Sequence, residues 1–211
     1  MTREMKGGRQ TERLRLQLAQ EAAKIMAEQM VRDYQQAKQK ACERLGYTGK
    51  QALPGNDEIH AALQSYLQLF KGEKHFELID ELRTVAYDAM RFLKDFQPRL
   101  VGAVLNGTAD KYSAVHLHLF ADNKEDVLQF LIDNNVDYQI ADVVVNFGPQ
   151  RLQQITRCHF LAGEQPIELS IFDINGLREA PRSPIDGKPM QRADLATVHR
   201  LLNNNNLKAG V

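Results

Sequence analysis

Leu100-Val-Gly-Ala-Val-Leu-Asn-Gly-Thr-Ala-Asp-Lys-Tyr-Ser-Ala-Val-His-Leu-His-Leu-Phe-Ala121 organises the chain. It reads as strand, glycine turn, strand. Leu100, Val101, Val104 and Leu105 form an apolar run that stops at Asn106-Gly107. Beyond the turn the pattern alternates: Val115, Leu117 and Leu119 face one way, while Ala114, His116, His118 and Phe120 face the other. One face of the second strand is therefore wholly apolar, and the other carries two imidazoles.

No strand signal precedes residue 99. Residues 1–10 read as polar and loose, and Thr11 is placed to cap one long helix running to Leu45, where Gly46 stops it. Its stripe of Ala19, Ala23, Met26, Met30, Tyr34, Ala37, Ala41 and Leu45 recurs every three or four residues. An alanine-rich stripe admits a neighbouring helix closely, or serves as the seam of a homodimer. Asn56, with Asp57 and Glu58 behind it, reads as an N-cap for a short helix through Ile59, Leu63, Leu67 and Phe70. A third helix carries Phe76, Ile79, Leu82, Ala86, Met90 and Leu93, and Pro98 ends it.

After the second strand, Asp122-Asn123 caps a helix reaching Leu131. Strands are expected at 138–147, 155–161 and 167–173, with a turn at 163–166 between the last two. Residues 176–190 hold three prolines and an Asp186-Gly187 turn and read as a rigid loop, followed by a helix over 193–202. This order gives an α+β fold: a mixed β-sheet with helices, preceded by an N-terminal helical region. The expected division is 1–74 helical, 75–175 α+β, and 176–211 proline-rich loop and closing helix.

The 211 residues are 43% hydrophobic and 26% charged, so the chain can bury a core, and Lys+Arg balance Asp+Glu at 27 each. No global field steers the chain toward nucleic acid. Residues 1–50 do lean basic, a bias that suits a solvated helix face or contact with RNA, DNA or an acidic partner. Cys42 and Cys158 fall in no motif and read as reduced packing residues. No segment is long and apolar enough to span a bilayer, and the cytoplasm is the expected location.

The stretch at 100–121 resembles the signature of the DNA polymerase beta-type nucleotidyltransferase superfamily. In that family a strand runs into Gly-Ser, a second Gly follows, and a Ser-Asp-x-Asp strand carries metal-binding carboxylates. Here Gly102 and Gly107 match both glycines, Ala109 and Ser113 also match, and Val115 and Leu117 keep the apolar positions. Ala103 stands in place of the Ser, Ala114 in place of the first Asp, and His116 in place of the second. The resemblance implies a nucleotidyltransferase-like fold over roughly 76–173 and places the third carboxylate at Glu168. It also implies nucleotide contacts at Gly102, Gly107, Thr108 and Ser113, Gly107-Thr108 serving equally as a plain turn.

The frame is kept while the magnesium ligands are lost, since imidazole is a poor substitute for hard oxygen donors. His116 and His118 share a face about 6.6 Å apart along the strand. With Glu168 they compose a two-His, one-carboxylate set of the kind that suits zinc or iron(II). Asp110, Asp122 and Asp173 are the stand-in carboxylates to test, although turn and cap roles explain each. Arg178, Arg182, Lys188 and Arg192 of the tail are candidate phosphate contacts. There is no P-loop motif and no Gly-x-Ser-x-Gly elbow.

Three functional expectations follow. The first is a degenerate nucleotidyltransferase-fold protein that binds a nucleotide, nucleic acid or protein partner. The second is an enzyme, either still transferring nucleoside monophosphate or using a metal on His116, His118 and Glu168. The third is a helical dimer or adaptor.

Overall fold

The computed structural model describes residues 2–206, with side chains described for 8–203. The chain is α+β, and it divides into two compact units: Met1–His75 with Pro184–Asp186, and Phe76–Ser183 with Gly187–Val211.

The first unit is helical, built from α1 (Thr2–Gln29), α2 (Tyr34–Leu45) and α3 (Asn56–Phe70). The single long helix expected from the sequence is two helices. Met30 adopts φ 54°, which an α-helix cannot contain, and Asp33 then accepts the N–H of Gln36 at 2.7 Å to start α2 afresh. The alanine periodicity runs through the break because both helices bury alanines: Ala19, Ala22, Ala37 and Ala41 share one cluster with Leu18 and Ile25. Ala23 instead packs with Leu63 and Leu67 of α3. The alanines of the stripe are thus covered by helices of the same chain, while Met30 and Leu45 at its margins stay exposed. Thr11 lies inside α1, which begins at Thr2. Gly46 in the left-handed conformation closes α2 as expected. The N-cap of α3 is Gly55 rather than Asn56, its N–H bonded to Glu58 Oε2 at 2.6 Å.

The second unit takes α4 (Gly72–Phe92) from Phe76 onward and holds a five-stranded sheet. Its strands are β1 (Arg99–Val101), β2 (Val115–Phe120), β3 (Gln139–Gly148), β4 (Arg151–Ala162) and β5 (Gln165–Phe172). The order is β1-β2-β5-β4-β3; β2 and β5 are parallel and every other pair antiparallel. The strand expected at 100–105 is cut to three residues and continues as the short helix α5 (Gly102–Asn106). Gly102 turns the chain with φ +74°, a value glycine adopts at no steric cost. The buried Arg83 then donates to the carbonyls of Val104 and Leu105 at 3.3 and 3.1 Å, satisfying the helix end. Apolar periodicity over six residues does not separate a strand from one and a half helical turns.

Alternation sets the two sheet faces. Val115, Leu117 and Leu119 of β2, Ile167, Leu169 and Ile171 of β5, and Cys158 of β4 form the core. Against them lie Leu82, Met90 and Leu93 of or just after α4, Val127 and Leu131 of α6 (Lys124–Asp133), and Val198 of α7 (Leu195–Asn206). Leu169 is fully buried on the central strand, so Leu169→Ala is expected to cost roughly 2–5 kcal/mol, read as a lowered urea midpoint. A loss under 1 kcal/mol at that position would contradict this core.

Candidate functional site

The opposite face of the sheet holds the chemistry. Register sets His116 of β2 beside Glu168 of β5, and His159 of β4 beside Glu168 from the other side. One step on, His118 and Arg157 flank Ser170. At the far end of the strands Phe120, Phe147, Ile155 and Phe172 form an apolar cluster. The face is therefore graded, polar at its start and aromatic at its end.

Glu168 is the hub. Its Oε1 is bonded to His116 Nδ1 at 2.8 Å, and its Oε2 lies 3.6 Å from His159 Nδ1. Arg157 Nε stands 3.1 Å from Oε1, but its N–H is not aimed at that oxygen. The contact is an ion pair rather than a hydrogen bond. Burial alone pushes the Glu168 carboxyl up; the His116 bond and the charges of His116, Arg157 and His159 outweigh it and hold the group below its ordinary range. The carboxylate side chain is only 12% exposed, whereas His116, Arg157 and His159 are 39%, 31% and 45% exposed. Seen from solvent, the site presents its basic groups and hides its one acid.

His118 is separated from this cluster by its partner. Arg192 Nε donates to His118 Nδ1 at 3.1 Å, which leaves the ring proton on Nε2. Burial first, then the charge of Arg192, push His118 down to about 3, so it is neutral at pH 7. Arg192 lies over the rings of Phe120 and Phe172 at 5.0 and 5.5 Å, and its Nη1 donates to Gly176 O at 2.6 Å. Burial lowers it to about 10, still cationic at neutral pH. Gly176 itself has no room for a side chain, since a Cβ there would sit 2.9 Å from that of Phe172. Arg192 thus pins the tail across the aromatic end and leaves the Glu168 end open.

The remaining candidates are placed as follows. Gly102 runs past His116, where a Cβ would meet the imidazole at 3.9 Å. The N–H groups of Gly107 and Thr108 both return to Ala103 O, so that turn spends its donors on closing α5. Ser113 is buried and bonded to Asp110, whose carboxylate also accepts from Tyr112 N–H at 2.8 Å. Asp173 caps the turn after β5 through Asn175 and Gly176 N–H. Asp122 lines a cleft of about 440 Å³ with Lys124, Asp142, Thr156 and Asp173, at the strand ends away from Glu168. Arg178 and Lys188 are exposed, and Arg182 donates to Phe147 O and Gly187 O.

Among the described residues no group of three or more His, Cys, Asp or Glu is disposed to hold a metal ion. The set of His116, His118 and Glu168 is not assembled, because Arg192 holds His118 and Arg157 enters beside Glu168. The sequence alone does not single out Arg157 and His159. Alternation in β4 places them on one face, but only the strand order β2-β5-β4 brings that face to Glu168.

No protein-family model, no curated protein and no solved structure matches the chain. What fold and site define is an α+β protein with a partly buried carboxylate framed by one arginine and two histidines. Among the described residues no helix is long and apolar enough to cross a membrane.

Proposed function

We propose that this chain has a nucleotidyltransferase-type core with a degenerate active site, and that it binds a nucleotide through its phosphates without a divalent cation. The observation that carries this reading is Glu168. On this reading it stands for the third metal-binding carboxylate, and it is paired with Arg157 and bonded to His116. A carboxylate already paired with an arginine has little left to offer magnesium. Arg157, His116 and His159, each more exposed than Glu168, are the hydrogen-bonding groups that an incoming phosphate meets first. The core helices serve to hold the three strands in the register that gathers these groups. Two free cysteines accord with a cytoplasmic location.

The test is thermal shift with a panel of nucleoside triphosphates in EDTA, repeated with magnesium. The expected result is a nucleotide-dependent shift in EDTA that falls at least tenfold in apparent affinity with Arg157→Ala, the loss of one charge-assisted contact. A shift that appears only with both nucleotide and magnesium would support the active enzyme instead. No shift with any nucleotide would favour a second reading, an adaptor working through the helical unit. That reading rests on Leu69 and Phe70 of α3, which are 76% and 72% exposed.

A further inference from the structure

The two edges of the sheet are treated differently. At the β1 edge, Leu100 exchanges both backbone bonds with Ala193, at 2.8 and 2.9 Å. At the other edge, β3 is ten residues long, and among the described residues it pairs with β4 alone. The tail reaches only its end, where Arg182 N–H donates to Asn146 O at 2.6 Å. Residues 139–145 are left as an open edge of sequence Gln-Ile-Ala-Asp-Val-Val-Val.

Open edges are ordinarily guarded by lysine, proline, bulges or inward-pointing charge. This run holds no Lys, Arg or Pro. Its one charge, Asp142, accepts from Thr156 Oγ1 at 3.0 Å and Gln154 Nε2 at 3.2 Å, and so is turned toward β4. The only irregularity in the β3–β4 register falls beyond the run, between Asn146 and Gly148. Ile140 and Val144 on this strand are 58% and 64% exposed.

We infer that this edge pairs with a second copy of the chain, antiparallel about a twofold at Val143, to continue the sheet across two protomers. The choice of occupant comes from the edge itself. The Asn146 carbonyl faces away from β4, so by alternation the groups of Asp142 and Val144 face outward too. A twofold at Val143 sets Asp142 opposite Val144 of the partner subunit, and each such pair exchanges both backbone bonds. On the other face it sets Val143 against its own copy and Ala141 against the partner's Val145, an apolar ladder with a small residue facing a large one at each end. A twofold at Asp142 would oppose two carboxylates; the Val143 register opposes none. The strand complements itself without requiring a second kind of chain.

Sedimentation at micromolar concentration tests the pairing, and cross-linking tests its register. The wild type is expected to be a dimer, and Val144→Lys, a change at an exposed position, a monomer with an unchanged far-UV circular dichroism spectrum. In a Cys42→Ser background, Val143→Cys should form an intermolecular disulfide under mild oxidation, since directly opposed residues of a non-hydrogen-bonded pair lie about 4.5 Å apart at Cα. Ala141→Cys, which faces the partner's Val145, should not. A wild-type monomer overturns the inference, even one whose β3 edge takes up an extended peptide. So does a dimer that survives Val144→Lys, or one that cross-links through Ala141→Cys in preference to Val143→Cys.

Discussion

Purified protein supplied with magnesium and any alpha-labelled nucleoside triphosphate is expected to transfer no label above background. On the proposed reading, the active relatives of this core use two strand carboxylates and a third from a later strand to hold two magnesium ions that orient the triphosphate and neutralise it during attack. Here the two strand positions are Ala114 and His116, and the third, Glu168, is paired with Arg157. Removing one transition-state contact costs on the order of 100-fold in other enzymes, and two metal ligands are missing. The complementary experiment is Ala114→Asp with His116→Asp. Position 116 is the register partner of Glu168, so the new carboxylate would lie beside the old one. Magnesium binding that is absent from the wild type should then appear, as like charges gathered at one site call for a cation. Arg157→Ala in addition should strengthen it by freeing Glu168. Magnesium-dependent transfer by the unmodified protein, abolished by Glu168→Ala, would overturn the reading and return attention to Asp110, Asp122 and Asp173.

The parts of this site that were legible in the sequence are those fixed by local alternation. The period-two pattern at 115–120 puts His116 and His118 on one face and the core leucines on the other, and the strand expected at 167–173 does the same for Glu168 and Ser170. What alternation cannot supply is the order of strands. Arg157 and His159 lie on a strand that could pair in several places, and β5 lies between it and β2. Nor does sharing a face mean sharing a site: His118 and His116 are two residues apart, yet Arg192, distant in sequence, draws one of them out of the cluster. The helical unit failed at a different point. A continuous alanine period predicts one helix, but periodicity reports which residues are buried, and two helices folded back on each other bury the same ones. The break at Met30 to Asp33 carries no Gly or Pro, so nothing local announced it beyond a residue able to cap.

Acid should destabilise the second unit through His118. Its neighbours on every side oppose its charging: Arg192 donates to it, and burial, Arg192, His116 and Arg157 all lower it, to about 3. An unfolded histidine titrates near 6.5. Between those values the unfolded chain binds the proton and the folded chain does not, so stability rises with pH across the window and is lost as pH falls. Above 6.5 the group contributes nothing to the slope, and below about 3 both states are protonated. From pH 6.5 to 5 the loss attributable to this one side chain is on the order of 2 kcal/mol, near the limit of about 1.4 kcal/mol per pH unit for a single proton. Glu168 adds to the acid sensitivity with the same sign, because its folded carboxyl is held below its ordinary range and loses that stabilisation on protonation. The two are separated by His118→Gln, which keeps an acceptor for Arg192 and removes the titration. Urea midpoints of wild type and variant should lie close together at pH 7.5 and diverge at pH 5, with the wild type falling further. Midpoints that stay parallel down to pH 5 would mean that His118 takes up its proton in the folded state. In that case the Arg192 clamp releases on acidification instead of resisting it.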